Sequence, residues 1–546
     1  MSNAIIPIRG LGNRGIIRDQ EPFNLPLDAW SNGNNVRFDD GSVKRAPAFR
    51  IIEDTLGVAP AFLFGVRPAS GLDSLLLAED DGTMFSWSLG TATNITPLGF
   101  STVTAPTARF TGAYLDQVSF INRQTDVPYA LRPGEAITEP LTGYGWGATW
   151  RCKALRAYRD SLVAISMQED GVEIPGRVRI SDAVVGAALP PPSWDATDVT
   201  NQAFSTELPD IRGTLLDGLT MRDDFYVYST AEVWRLTPVG GFALYAIKKV
   251  FSDQGLLATG LVTEVNGAHF CVGEDDIYMH DGTTYRSIVD GTNRNFIFRS
   301  MLKDQKHRFW LHHDTIRDEV IFAYISGDSD AGFPGTAWPN RAAVYDLENG
   351  TWTFQDLPNV SGATTVIYTP GRTWDNWNET WQTSGGTWDS AGDGARTTVV
   401  MSPRTDTANG ITGNVLYAFD EVSEGSQVFA PLDLNVLKPA FVERIGYDLD
   451  GLGHFIRDYI RIQRLYPQAR VFGEDTSLNF KVGAQLSTQT PDDGELQVSA
   501  PFDPRTQYKI DFRRGGRYVS IRVQMDDPAD FIYSGMDLQY TVTGRR

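Results

Sequence analysis

The chain has 546 residues and a net charge of −20, with 41% apolar and 11% aromatic residues, 52 glycines, 29 prolines and two cysteines, Cys152 and Cys271. This length asks for more than one ordinary core, and the composition excludes wholesale disorder, a disulfide scaffold and a cysteine zinc ribbon. Seven Lys/Arg against five Asp/Glu in residues 1–50, and eight against six in 501–546, make each end about +2 and leave roughly −24 on the middle, the wrong sign for a sequence-reading nucleic-acid binder; it suits a conduit that must not hold phosphate, or simply keeps a soluble protein soluble.

Residues 1–50 read as an N-terminal arm and hairpin. The opening MSNAIIPIRGLGNRG lacks the charged-then-apolar pattern of a secretory leader, and no apolar run approaches the ~20 residues that cross a bilayer. With two isolated thiols, this predicts a protein made in a reducing cytoplasm. Gly10-Leu-Gly-Asn-Arg-Gly15 matches GxGxxG, but Pro22 and Pro26 stand where that fingerprint needs a helix, so no dinucleotide site is expected. Asn35-Val-Arg-Phe-Asp39, turning at Asp40-Gly41, is a strand candidate for closing a ring.

Residues 51–425 alternate apolar runs with Gly, Asp, Asn and Pro turns, as strand–turn–strand units do. The first strands of these units begin near 75, 118, 162, 225, 269, 320 and 398. A recurring spacing of ~44 residues is the length of a four-stranded propeller blade, which predicts a β-propeller of six or seven blades; a large β-sandwich is the competing reading. Helical periodicity is confined to Asn295–Leu302. Residues 373–390 set Trp374, Trp377, Trp381 and Trp388 among polar residues. That segment reads either as a long loop folded on the propeller wall or as an exposed aromatic loop gripping a neighbouring subunit or a sugar. Residues 426–546 carry longer strands (Tyr459–Leu465, Leu478–Val482, Tyr508–Phe512, Tyr518–Met525, Met536–Val542) and predict a separate antiparallel β-sandwich, or platform domain. The expected fold class is all-β.

Motifs that carry chemistry fail on spacing. None of His269, His280, His307, His312, His313 and His454 forms HExxH or sits with cysteines at zinc spacing, and the neighbours His312 and His313 would point to opposite sides of a strand. Asp328-Ser-Asp330-Ala-Gly332 lacks the third ligand position and terminal Glu of a calcium loop. The acidic doublets (Asp80-Asp81, Asp223-Asp224, Asp275-Asp276 and others) fall at hairpin tips, where Asp bonds the turn backbone. Asp346-Leu-Glu-Asn-Gly-Thr-Trp352 is similar to the Asp-box turn of sialidase propellers, a structural turn. No catalytic residue, metal or cofactor is expected, and the protein reads as a non-enzyme.

Pro26-Leu-Asp-Ala-Trp30 with Asn35-Val-Arg-Phe-Asp-Asp-Gly41-Ser-Val-Lys-Arg45, together with Arg513-Arg-Gly-Gly-Arg517-Tyr-Val-Ser-Ile-Arg522 and the closing Gly544-Arg-Arg546, resembles the two ends of tail nozzle, or tail tubular, proteins of short-tailed, podovirus-like bacteriophages. The resemblance covers some 60 residues. It implies a virion protein made in the host cytoplasm: a homohexamer below the portal and adaptor that anchors tail fibres or spikes and lines the channel through which genomic DNA leaves. Arg9, Arg14 and Arg18 of the arm and Arg513, Arg514 and Arg517 are the candidate subunit or adaptor contacts. The alternatives are a glycan-active propeller enzyme of sialidase or lyase type, which needs converging carboxylates and an Arg cluster on the propeller axis, and a carbohydrate-binding receptor module using the Trp loop.

Overall fold

The computed structural model describes residues 4–545 apart from 67–73, 89–90, 106, 241–243, 336, 369–395, 412, 421–435, 448–457, 474–475, 487–496 and 499–500. Trp374, Trp377, Trp381, Trp388 and His454 lie outside the described residues.

A strand with partners at both edges and packed sheets on both faces has no side free for water, so it is rich in apolar residues and any polar side chain it carries needs a partner. Seven strands have this character: Ser74–Ala78, Val118–Arg123, Ser161–Glu169, Asp224–Ser229, Ala268–Val272, Glu319–Tyr324 and Arg396–Pro403. Val118–Arg123 and Glu319–Tyr324 are buried at every position. Each is the second strand of a four-stranded antiparallel sheet, and the described residues form seven such sheets. Tight turns with left-handed backbone connect many of these strands, as at Asp116-Gln117, Asp170-Gly171 and Asn266-Gly267. The innermost strands Phe62–Val66, Phe110–Leu115, Arg151–Tyr158, Leu215–Met221, Val262–Val265, Trp310–Asp314 and Val360–Tyr368 neighbour one another in a closed cycle. This is a seven-bladed β-propeller. The units that mark the ~44-residue period in the sequence are thus the second and third strands of each blade, not the first.

The ring is closed by a different segment from the one expected. Ala48–Glu53 forms the outermost strand of blade seven and pairs antiparallel with Leu416–Asp420. Phe49 packs there between Tyr417 and Phe419, at 5.7 Å from each ring. The hairpin at Asn35–Asp39 instead joins a second body. Val36–Asp39 pairs with Ser42–Arg45, and that strand pairs with Phe531–Arg545.

This second body is a pair of sheets. One runs in the order Val36–Asp39, Ser42–Arg45, Phe531–Arg545, Asp458–Val471, Ile510–Gly516, with Ala4–Arg9 also on Phe531–Arg545. The other runs Asn32–Asn34, Ala440–Tyr447, Tyr518–Met525, Asn479–Gln485, Gln497–Val498. The first 45 residues are therefore not a free arm: they supply strands to both C-terminal sheets. One apolar core runs from the sheets (Phe38, Val442, Ile462, Val519, Leu538) into blades five and six (Phe270, Ile277, Val320, Phe322, Phe354). The short helix Arg294–Ser300, anticipated at Asn295–Leu302, links those two blades.

A polar joint reinforces this seam. The buried Arg37 guanidinium donates from Nε to both Glu319 carboxylate oxygens at 2.8 and 2.9 Å and from Nη2 to Gln355 Oε1 at 2.8 Å. Asn35, in left-handed backbone, donates to Asp356 Oδ2 (3.1 Å) and Pro439 O (3.0 Å) and accepts from the Asp356 amide (2.9 Å). Propeller and sandwich thus share one core and one charge network.

Candidate functional site: the axial mouth of the propeller

The innermost strands begin at one mouth of the central channel, where a cavity of about 170 Å³ is lined by six of the seven blades. Its ionisable lining is Asp80, Arg109, Arg156, His307 and Arg308, and Phe64, Phe110, Trp310 and Trp338 supply apolar wall. A basic cavity in a chain of net charge −20 is a local inversion of sign.

Each cation is held by its own set of partners, drawn from carboxylates, backbone carbonyls and an indole ring. Arg156 faces Asp217 on the next inner strand in a bidentate pair, Nε–Oδ1 2.8 Å and Nη2–Oδ2 2.7 Å. The fully buried Asp217 also accepts the Gly218 and Gly260 amides, both at 2.8 Å. Burial opposes the charge on Arg156, but Asp217 outweighs it and lifts the guanidinium above its ordinary pKa. Arg109 lies across the channel and donates to the carbonyls of His307 (2.8 Å) and Thr259 (2.9 Å). Gly260 is required beside it: its φ of +80° is left-handed, and a Cβ would lie 2.6 Å from Arg109 Nη2. Burial lowers the Arg109 pKa to about 10. Arg308 donates to Gln305 Oε1 and Ala337 O, and its guanidinium lies over the Trp338 indole at 4.6 Å. Arg404 stands over the same indole at 4.8 Å and binds Asp80 at 2.5 Å. Burial, with Arg308 and Arg109 alongside, pushes the His307 imidazole below its ordinary pKa and so toward the neutral form.

A second buried polar cluster, between blades four and five, has every proton assigned by its neighbours. His269 Nε2 lies 3.0 Å from Thr220 O, so it carries hydrogen and donates. His280 Nδ1 accepts the Gly282 amide at 3.2 Å, so its hydrogen is on Nε2. Tyr228 Oη therefore accepts from His280 Nε2 (2.7 Å) and donates to His269 Nδ1 (2.5 Å). Both imidazoles are held neutral, and burial lowers them to about 4 for His269 and about 3 for His280. The cluster is closed to solvent and serves the fold.

The remaining sequence candidates separate by burial. Arg9 pairs with Asp537 at 2.6 Å and is 46% exposed, and Arg14, 61% exposed, stands 3.4 Å from Asp28. Arg18 is turned inward: its guanidinium stacks 4.0 Å from the Phe296 ring and lies 3.5 Å from Asp330. It ties the segment after the first strand to the propeller and is only 12% exposed. Arg513 and Arg514 are exposed on Ile510–Gly516, an edge strand of its sheet, while Arg517 is partly buried after it. Asp328 and Asp330, which resemble a calcium loop, both grip Arg341, at 2.9 and 2.7 Å. His312 bonds Thr365 of blade seven and His313 the Glu264 carbonyl of blade five, on opposite sides of their strand. Asp346 Oδ1 accepts the amides of Glu348 and Asn349, as a structural turn requires. The axial cavity itself escaped the sequence reading, because its cations come from four separate blades with no common spacing.

No family profile and no curated protein sequence matches the chain. Among solved structures it is similar to the computationally designed Ika8 protein (9% identity over 75% of this chain and 100% of that one, TM-score 0.36). It is also similar to the WD40 β-propeller domain of Doa1 (10% identity, 58% and 93% covered, TM-score 0.32). A third similar structure is that of YCF48 (9% identity, 68% and 100% covered, TM-score 0.34). The propeller assignment rests on this chain's own strand pairing.

Proposed function

We propose that the chain is a structural subunit of the tail nozzle of a short-tailed bacteriophage, assembling as a homohexameric ring in the virion tail. The ring would sit below the portal and adaptor, hold fibres or spikes outside, and let genomic DNA pass without sequence-specific binding. The observation that carries this reading is the joint at Asn35 and Arg37. The hairpin that resembles the nozzle family is the element that fastens sandwich to propeller through Glu319 and Asp356. A shared core and a buried ion-pair network make a subunit that transmits force without hinging, as a pressurised conduit needs.

The glycan-active alternative requires converging carboxylates and an Arg cluster at the axis; Arg109, Arg156 and Arg308 supply the cluster, but the carboxylates are already engaged. Asp217 is engaged by Arg156 and two amides, and Asp80 by Arg404, so neither is poised as a general acid or base. Mass measurement of the purified protein, alone and with other tail components, and negative-stain imaging test the nozzle reading. A six-fold ring with a central hole supports it; a monomer under all mixtures, or turnover of glycans, sinks it. Charge reversal at the exposed Arg513 and Arg514, with Arg517, should block ring or adaptor contacts, and intact assembly would remove that surface from the interface.

A further inference from the structure

We propose that the axial cavity is a binding site for a small oxyanion, a carboxylate or phosphate group carried on a compact molecule. The argument begins with charge balance. Four guanidiniums meet at the mouth (Arg109, Arg156, Arg308, Arg404) against two carboxylates, Asp80 and Asp217. Arg156 and Arg404 hydrogen-bond both carboxylates, whereas the hydrogen-bond partners of Arg109 and Arg308 are neutral oxygens and Asp217 and Asp80 reach those two only through space. Carbonyl oxygens position a guanidinium but do not cancel its charge, and two carboxylates only half balance four cations, which is expensive deep in a protein. The depressed pKa of Arg109 records that cost.

Geometry makes the surplus usable. Arg109 sits deep in the protein yet keeps surface toward the cavity, with its two Nη atoms each holding one carbonyl and further N–H groups to offer. Arg308 approaches from the blade-six side, and His307 adds a ring Nε2 with no protein partner. Planar forks converging from two sides suit the oxygens of a carboxylate or phosphate, and the aromatic walls strengthen each contact by keeping water out. A cavity of about 170 Å³ admits such a group with a few attached atoms and excludes a nucleic-acid duplex. The site is independent of the nozzle reading: ring formation and anion binding are separate measurements.

The test is calorimetric titration of the intact protein at low ionic strength with three probes, acetate, glucuronate and inorganic phosphate. At least one should bind with Kd ~1 mM or tighter. The ranking of glucuronate and acetate against phosphate separates a carboxylate ligand from a phosphate ligand. R308Q, which removes a cation held by Gln305, the Ala337 carbonyl and the Trp338 ring, should keep the wild-type circular dichroism and bind roughly tenfold or more weakly. R109Q should do the same, with some loss of stability because Arg109 also ties Thr259 to His307. No heat and no thermal shift with any probe on folded wild type would overturn the proposal. Equal affinity in R308Q and wild type would overturn it too, since binding would then lie elsewhere.

Discussion

Acid should loosen the seam between blades four and five before it touches most of the molecule. In the chain from Gly282 through His280, Tyr228 and His269 to Thr220, each nitrogen and oxygen already has its donor or acceptor role assigned. A proton added to either imidazole would set a donor against a donor, in a place closed to water. Both folded pKa values, about 4 and about 3, lie below the ordinary value of 6.5. The stability held in the neutral imidazoles is therefore full above pH 6.5 and is lost as pH falls from there toward 4 and 3. Each depressed histidine contributes a slope of about 1.4 kcal/mol per pH unit inside that window, so at pH 5 the pair costs about 4 kcal/mol relative to pH 7. Urea midpoints of wild type and of H269Q/H280Q, each at pH 7 and pH 5, measure this. The double variant starts less stable but should lose less on acidification, by about the stated 4 kcal/mol, because carboxylate contributions cancel in the comparison. An identical acid loss in the two proteins would refute the assignment of neutral, directionally bonded imidazoles.

Other perturbations test other parts of the frame. Y228F removes the hydroxyl that serves both rings and should cost about 2–4 kcal/mol in a urea midpoint, more than loss of a surface hydrogen bond. R37A leaves Glu319 buried without its cation and should destabilise by about 3–5 kcal/mol, with limited proteolysis first attacking the residues 32–45. F49A empties the space between Tyr417 and Phe419 and should cost about 3–5 kcal/mol, seen as a lowered melting temperature. Cys152 and Cys271 are buried, and burial raises both thiols, Cys271 to about 12. Neither should react with iodoacetamide at pH 8 in the native protein, and both should react in urea.

The strands that announce themselves in the sequence are those buried on every side. Leu75-Leu76-Leu77 or Phe225-Tyr226-Val227 carry an unbroken apolar signal, so the blade period was readable from them. The innermost strands Val262–Val265 and Val360–Tyr368 border a channel, mix Thr, Glu, Ser and Gly with apolar residues, and give no comparable pattern. This displaced the apparent start of each blade by one strand. The closing strand was misplaced because Asn35–Asp39 and Ala48–Glu53 are equally strand-like, and only their partners hundreds of residues away distinguish them. Ion pairs at the axis were illegible for the same reason: Arg156 and Asp217 meet because neighbouring inner strands run side by side. The turn chemistry of Asp346 and the opposed directions of His312 and His313 were legible because they depend on local backbone alone.

The clasp has a consequence for the order in which the molecule can be completed. Ala48–Glu53 is synthesised ahead of the whole ring, yet its partner Leu416–Asp420 emerges more than 360 residues later. Ala4–Arg9 and Ser42–Arg45 wait longer still, for Phe531–Arg545. Until then their hydrogen-bonding edges are open, and contacts so remote in sequence form slowly. A chain cut short before residue 530 would leave Ala4–Arg9 unpaired and the outer edge of Ser42–Arg45 open, sticky and accessible to proteases. Only when Phe531–Arg545 has formed are both edges covered, so the last strand of the chain completes the first ones.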